Sequence, residues 1–226
     1  MTSTISTKTR RMKTPQMTRI EALLLAGLLI GSSPAFASAS KVPSVSARQV
    51  AEQTLNAVLV VLNEPGASEE SRRDRIAAIA YDHFDFDTMS KLVIARPWRK
   101  FTKQQRAEFI LEFKMHLARS YGRRLSRYEG VKLEVVGEVP EQRGDVTVKS
   151  KIVGGQFDGA TIDYRSRARD GRWLVIDVII EGVSLVANFR AQFKPIVAQG
   201  GAPELLARLK GKNDELQNEL AADPKE

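Results

Sequence analysis

The sequence predicts an α+β fold: a helical layer packed on one face of a curved antiparallel sheet of about four strands, enclosing an apolar cavity. Three observations carry this. Apolar residues in the first half of the chain recur at helical spacing, whereas those of residues 131–182 alternate with period 2 in four runs. The connections between those runs, "PEQRG", "GGQFDG" and "RDG", are too short for parallel crossovers, so neighbouring strands must be antiparallel. A sheet of this kind buries one face, and the helices must cover it. Such a pair of layers packs solid or opens into a cone-shaped apolar cavity, and the cavity is the expectation here.

The elements follow in order. Residues 44–62 place Val50, Leu55, Val58, Leu59 and Leu62 on one helical face, and "NEPG" ends that helix. Residues 68–82 open with a serine cap and early acids, the usual start of a second helix. A short helix covers about 86–95, and "RPW" breaks it. Thr102 opens a long helix, "TKQQRAEFILEFKMHLARSYGRRLSRY". Of the strand runs, the first sets Val131, Leu133, Val135 and Val139 on one face, and the second Val146, Val148 and Ile152. The third sets Ile162 and Tyr164 opposite Asp163, Arg165, Arg167 and Arg169. "RWLVIDVIIEG" is apolar on both faces and reads as a central strand. A final helix, "VSLVANFRAQFKPIVAQ", is expected to stop at Gly200–Gly201. The charged stretch beyond it reads as a helix fraying into a polar tail.

The N-terminal stretch combines a basic segment, an apolar core "IEALLLAGLLIG" and small residues in "SPAFASAS". That is the pattern of a secretory signal peptide, with cleavage expected after Ala37 and Ala39 the next choice. The expected division is therefore a leader at 1–37, one α+β domain at 38–205 and a polar C-terminal helix or tail at 206–226. Lys8, Arg10, Arg11, Lys13 and Arg19 leave with the leader, as does Glu21, so the formal charge falls from +8 to +4. Most of the support for a nucleic-acid partner goes with it. There is no cysteine, so an exported chain relies on its core and has no lipoprotein anchor.

Chemical sites are sparse. His83, Asp85 and Asp87 stand together in "HFDFDTMSKL", a grouping that suits a metal or proton transfer and equally the start of a helix. With His83 and His116 the only histidines, a His-rich metal site is excluded by count, and no spaced acidic calcium loop is present. Capping is therefore the expected role of Asp85 or Asp87. There is no G-x-S-x-G elbow and no glycine-rich phosphate loop following a strand. An acid–base pair of a histidine with Asp177, the acid inside the most apolar strand, stays open as an enzyme alternative. Pairing of Asp177 with an arginine, or a place at the sheet rim, is expected ahead of it. The long helix carries a stripe of Phe109, Phe113, Leu117, Tyr121 and Leu125 at every fourth residue. It also carries Arg119, Arg123 and Arg127, which lie about 200° from that stripe. The far face is the place to dock an acidic partner or to meet water.

The stretch "FDFDTMSKLVIARPWRKFTKQQRAEFILEFKMHLARSYGRRL" and the later "IDYRSRARDGRWLVIDVIIEGVSLVANFRAQF" resemble the MlaC family, also called toluene-tolerance auxiliary proteins. The resemblance spans nearly the whole mature chain. It implies a periplasmic phospholipid-binding component of a lipid-trafficking ABC system. Such a component acts as a monomer that exchanges lipid with an inner-membrane transporter complex and an outer-membrane lipoprotein–porin complex. That role implies no catalytic residues, no metal and no cofactor other than the phospholipid cargo. The expected lining is the stripe Phe109, Phe113, Leu117, Tyr121 and Leu125, with Leu92 and Trp98 from the segment before it. The strands add Val146, Val148, Ile152, Ile162, Tyr164 and Val178. A non-lipid periplasmic adaptor with a solid core is the remaining alternative.

Overall fold

The computed structural model describes residues 43–125 and 132–222. Four helices come first: α1 (Ala47–Leu62), α2 (Glu69–His83), α3 (Phe86–Ile94) and, after a 3-10 turn at Arg96–Lys100, α4 (Lys103–Leu125). Their starts are set locally. Ser46 and Gln49 form a reciprocal capping box at α1, and Thr102 and Gln105 do the same at α4. Ser68 caps α2 and Asp85 caps α3.

Five antiparallel strands follow in chain order: β1 (Lys132–Pro140), β2 (Val146–Val153), β3 (Ile162–Arg169), β4 (Arg172–Ile180) and β5 (Val183–Ser184). The fifth is only two residues long, too short to leave a periodic signal. Bulges interrupt the ladder between Val135 and Gly137 and between Arg165 and Ser166. Each adds local twist and lets the sheet curve. The sheet does not close.

The last helix, α5, runs from Leu185 to Ala222 and does not stop at the glycine pair. Gly201 takes φ 65° and ψ −152°, a conformation outside the helical region and open to glycine. The chain kinks there, and Pro203 sits just inside the second segment, where its missing N–H costs nothing. The polar tail expected from residue 206 is helical as far as Ala222 and buries Leu206, Leu209 and Asn213. The leader lies outside the described residues.

The helices meet in an aromatic core. Phe109 and Phe113 are 0% and 1% exposed, stacked 5.6 Å apart. Phe193 meets both edge-on at 6.0 and 6.2 Å, and Phe189 meets Phe113 at 5.3 Å. Trp98 and Phe101 close the other side against Phe109. Leu205, Leu206 and Leu209 belong to the same cluster.

One joint is strained. Ala95, between α3 and the 3-10 turn, has φ 58° and ψ −131°, where a Cβ is disfavoured and the cost is of order 1–3 kcal/mol. Glycine gives back part of that gain by loosening the unfolded chain. Ala95→Gly should therefore raise stability by about 1 kcal/mol, or roughly 2–4 °C in Tm, in a thermal melt. An unchanged or lower midpoint would mean that the strain is relieved elsewhere.

Candidate functional site

The acids of the opening cluster are structural. Asp85 accepts from the Thr88 N–H (2.9 Å), from the Thr88 hydroxyl (2.7 Å) and from Arg169 (3.0 Å). Burial would raise its carboxyl, but these donors outweigh it and hold the group below the usual carboxylate range. Asp87 pairs with Lys91 at 2.5 Å and with Arg169 at 3.7 Å. His83 is turned away, its Nδ1 lying 3.2 Å from the Thr54 hydroxyl. Among the described residues no group of three histidines and acids could hold a metal.

Asp177 is buried, and both its oxygens have work at the start of α5. One accepts from the Val186 N–H (3.1 Å), the other from the Ser184 hydroxyl (2.5 Å). Ser184 in turn accepts from the Ala187 N–H (3.0 Å). Thus β4 caps the helix that follows it. Arg165 stands opposite Asp177 in the ladder but bonds Asp145 instead.

The two faces of the sheet differ in kind. On one, Val148 of β2 pairs with Tyr164 of β3, and Tyr164 with Val178 of β4. Val148, Ile152 and Val178 are buried; Val146, Ile162 and Tyr164 are half-buried. On the other face lie Thr147, Lys149, Asp163, Arg165, Asp177 and Ile179, and there a cavity of about 530 Å³ opens beneath Val186, Ala187 and Arg190 of α5. Arg190 holds the Leu92 carbonyl at 2.8 Å across its rim. Below it, Arg165 and Arg167 converge on Asp145 at 2.6–3.1 Å. Burial would raise the Asp145 carboxyl, yet the bonds from Arg167 and Arg165 hold it below its ordinary value.

The predicted lining residues are thus distributed over three places. Leu92 borders the polar-face cavity. Trp98, Phe109 and Phe113 are locked in the aromatic core, with Leu117 and Tyr121 half-buried at its margin. Val146, Val148, Ile152, Ile162, Tyr164 and Val178 form the apolar face of the sheet. The side chain of Leu125 lies outside those described. The helix stripe and the strand set were expected to share one pocket, but Phe109 and Phe113 turn toward α5 instead of opening onto the sheet. The polar-face cavity gave no sequence signal, because alternate polar residues on a strand look the same whether they face a hollow or open solvent.

Arg119 is not free on a far face. It donates to the Asn213 carbonyl of α5 at 3.0 Å and borders a hollow of about 290 Å³ with Arg73 and Asp74. Buried Asn213 also donates its side-chain amide to the Glu112 carbonyl (3.0 Å) and carboxylate (2.8 Å), while its oxygen takes the Nδ1–H of His116 (3.1 Å). Burial keeps His116 below its ordinary value, with Asn213 opposing and Lys212 adding to the shift. The side chain of Arg123, and Arg127 altogether, lie outside the described residues.

Comparison with known proteins finds a family model, curated relatives and solved structures. The family model described as MlaC protein matches residues 52–211. Toluene tolerance protein ttg2D of Pseudomonas putida is 27% identical over 118 residues, or 52% of this chain and 55% of that protein. The chain therefore spans about half the length of that relative. Among solved structures, a phospholipid-binding protein from Ralstonia solanacearum, in complex with a phospholipid, superposes with a TM-score of 0.69 at 21% identity, covering 76% of this chain and 99% of that one. At that identity the likeness establishes the α+β fold.

Proposed function

The chain belongs to the MlaC family, and from that premise we propose that it is a monomeric periplasmic carrier of phospholipid. In this reading it takes lipid up and hands it on between an inner-membrane ABC transporter complex and an outer-membrane lipoprotein–porin complex, maintaining the lipid asymmetry of the outer membrane. The 1–37 leader delivers it to that compartment. It performs no chemical step and needs no cofactor beyond its cargo.

One observation carries the reading. Val148, Ile152, Ile176 and Val178 are withheld from water, yet among the described residues none of them joins the clusters in which buried apolar residues interlock. An apolar sheet face that is shielded but not knitted into the helical core is suited to hold acyl chains. The demand is large: at about 0.8 kcal/mol per CH₂, two chains need roughly 20–25 kcal/mol of shelter from water. A surface groove cannot supply that, whereas space between layers can. Transfer to a membrane or another carrier is then nearly thermoneutral, since lipid passes from one apolar medium to another. The use of both Asp177 oxygens in capping α5 favours a carrier over the enzyme alternative.

Organic extraction of the purified protein followed by mass spectrometry should return phospholipid. Protein that carries none, and takes up none from vesicles, would end this reading in favour of an adaptor.

A further inference from the structure

The apolar face of the sheet carries a phenol hydroxyl, besides the small buried hydroxyls of Ser150 and Ser166. Tyr164 stands between Val148 and Val178 in the ladder, and both valines are buried. A phenol hydroxyl in such a place needs a partner, and leaving it without one costs about 1–3 kcal/mol. Tyrosine is normally found where the ring is buried and the hydroxyl is satisfied. Here the hydroxyl makes no hydrogen bond among the described residues. The residue as a whole is half-buried, unlike Ser90, whose unsatisfied hydroxyl is sealed in. Among the described residues nothing supplies its partner, which leaves the hydroxyl free for a group from outside.

The surroundings select the kind of partner. Burial, reinforced by neighbouring Asp163, pushes the hydroxyl far above the ordinary tyrosine value, so it stays protonated and can donate. A phosphate is a poor acceptor here, because an ion set among valines without a counter-charge is costly. Arg165, its neighbour in the chain, points to the opposite face and is held by Asp145. An acyl-ester carbonyl is a neutral acceptor, and it sits at the head of a chain that suits this face.

We infer that Tyr164 is the polar anchor of the bound lipid, donating to an acyl-ester carbonyl and fixing how deep the chains enter. This rests on the phospholipid-carrier reading. The test compares delipidated wild-type protein with Tyr164→Phe, using dipalmitoyl phosphatidylglycerol and its di-O-hexadecyl ether analogue, each displacing a fluorescent fatty-acid probe. Wild type should prefer the ester by about threefold to tenfold, the worth of one neutral hydrogen bond. Tyr164→Phe should lose that preference and bind the ether lipid as wild type does. Equal loss for both lipids, or no preference in wild type, would overturn the anchor while leaving the carrier intact. Binding of neither lipid by wild type would overturn the carrier reading and the anchor with it. The infrared ester-carbonyl band of lipid bound to wild type decides the matter should the variant not fold. A band lowered in frequency supports the anchor, and a band at the non-bonded position rejects it.

Discussion

Phe113→Ala should lower the free energy of unfolding by about 3–5 kcal/mol, the range for deleting a fully buried aromatic ring. The ring is 1% exposed, stacked on Phe109 and met edge-on by Phe189 and Phe193, so its removal takes contacts from both α4 and α5. The surrounding rings cannot all collapse into the gap, since each is held by the others. Urea denaturation should show a lower midpoint with an unchanged slope. Phe113→Leu, which keeps much of the volume, should cost much less. The prediction separates two roles for the aromatic stripe. A ring lining a ligand space would cost little stability when deleted and would change the lipid load. A loss below about 1 kcal/mol would show that Phe113 has that second role.

Asp145→Ala should cost roughly 2–4 kcal/mol. Removing one partner of a buried ion pair generally costs 3–5 kcal/mol, and the figure is reduced here because Arg165 and Arg167 are about a third exposed, at 35% and 31%. Without the carboxylate, two guanidinium groups face each other with no charge between them. The pH dependence has a definite sign. The folded carboxyl lies below its unfolded value near 3.8, so its contribution is fully present above about pH 5 and is lost as pH falls through that value and below. Unfolding followed from pH 6 downward should show a shallower acid slope in Asp145→Asn than in wild type. Parallel slopes would mean that the carboxyl is not held down by its arginines.

What could be read from the sequence was local. Ser68, Asp85 and Thr102 announce their helices because a cap acts within three residues. The strands were legible because alternation is a property of the strand itself. The destination of a buried face was not. The stripe through Phe109 and Phe113 shows that one side of α4 is buried, but Phe189 and Phe193, which bury it, come from the last helix in the chain. Arg119 was misplaced for the same reason: spacing gives an angle around a helix, while Asn213 supplies the partner. In the C-terminal segment the signal was present. Leu205 and Leu209, four apart, with Leu206 three before Leu209, form a short apolar stripe amid many charges.

An open sheet leaves two borders, and among the described residues the longer is β1, the other being the two-residue β5. Unpaired backbone groups along such a strand invite a second chain to add itself, which is how soluble proteins begin to polymerise. Several features of β1 discourage this. The irregularity at Val135–Gly137 breaks the straight row of donors and acceptors that a newcomer would match. Glu134 and Glu138 place like charges where two such strands would meet, and Pro140 removes a donor at the end. Arg48 of α1 reaches the Val135 carbonyl at 3.5 Å and occupies part of the row. The sheet can thus stay open without its exposed margin seeding fibres.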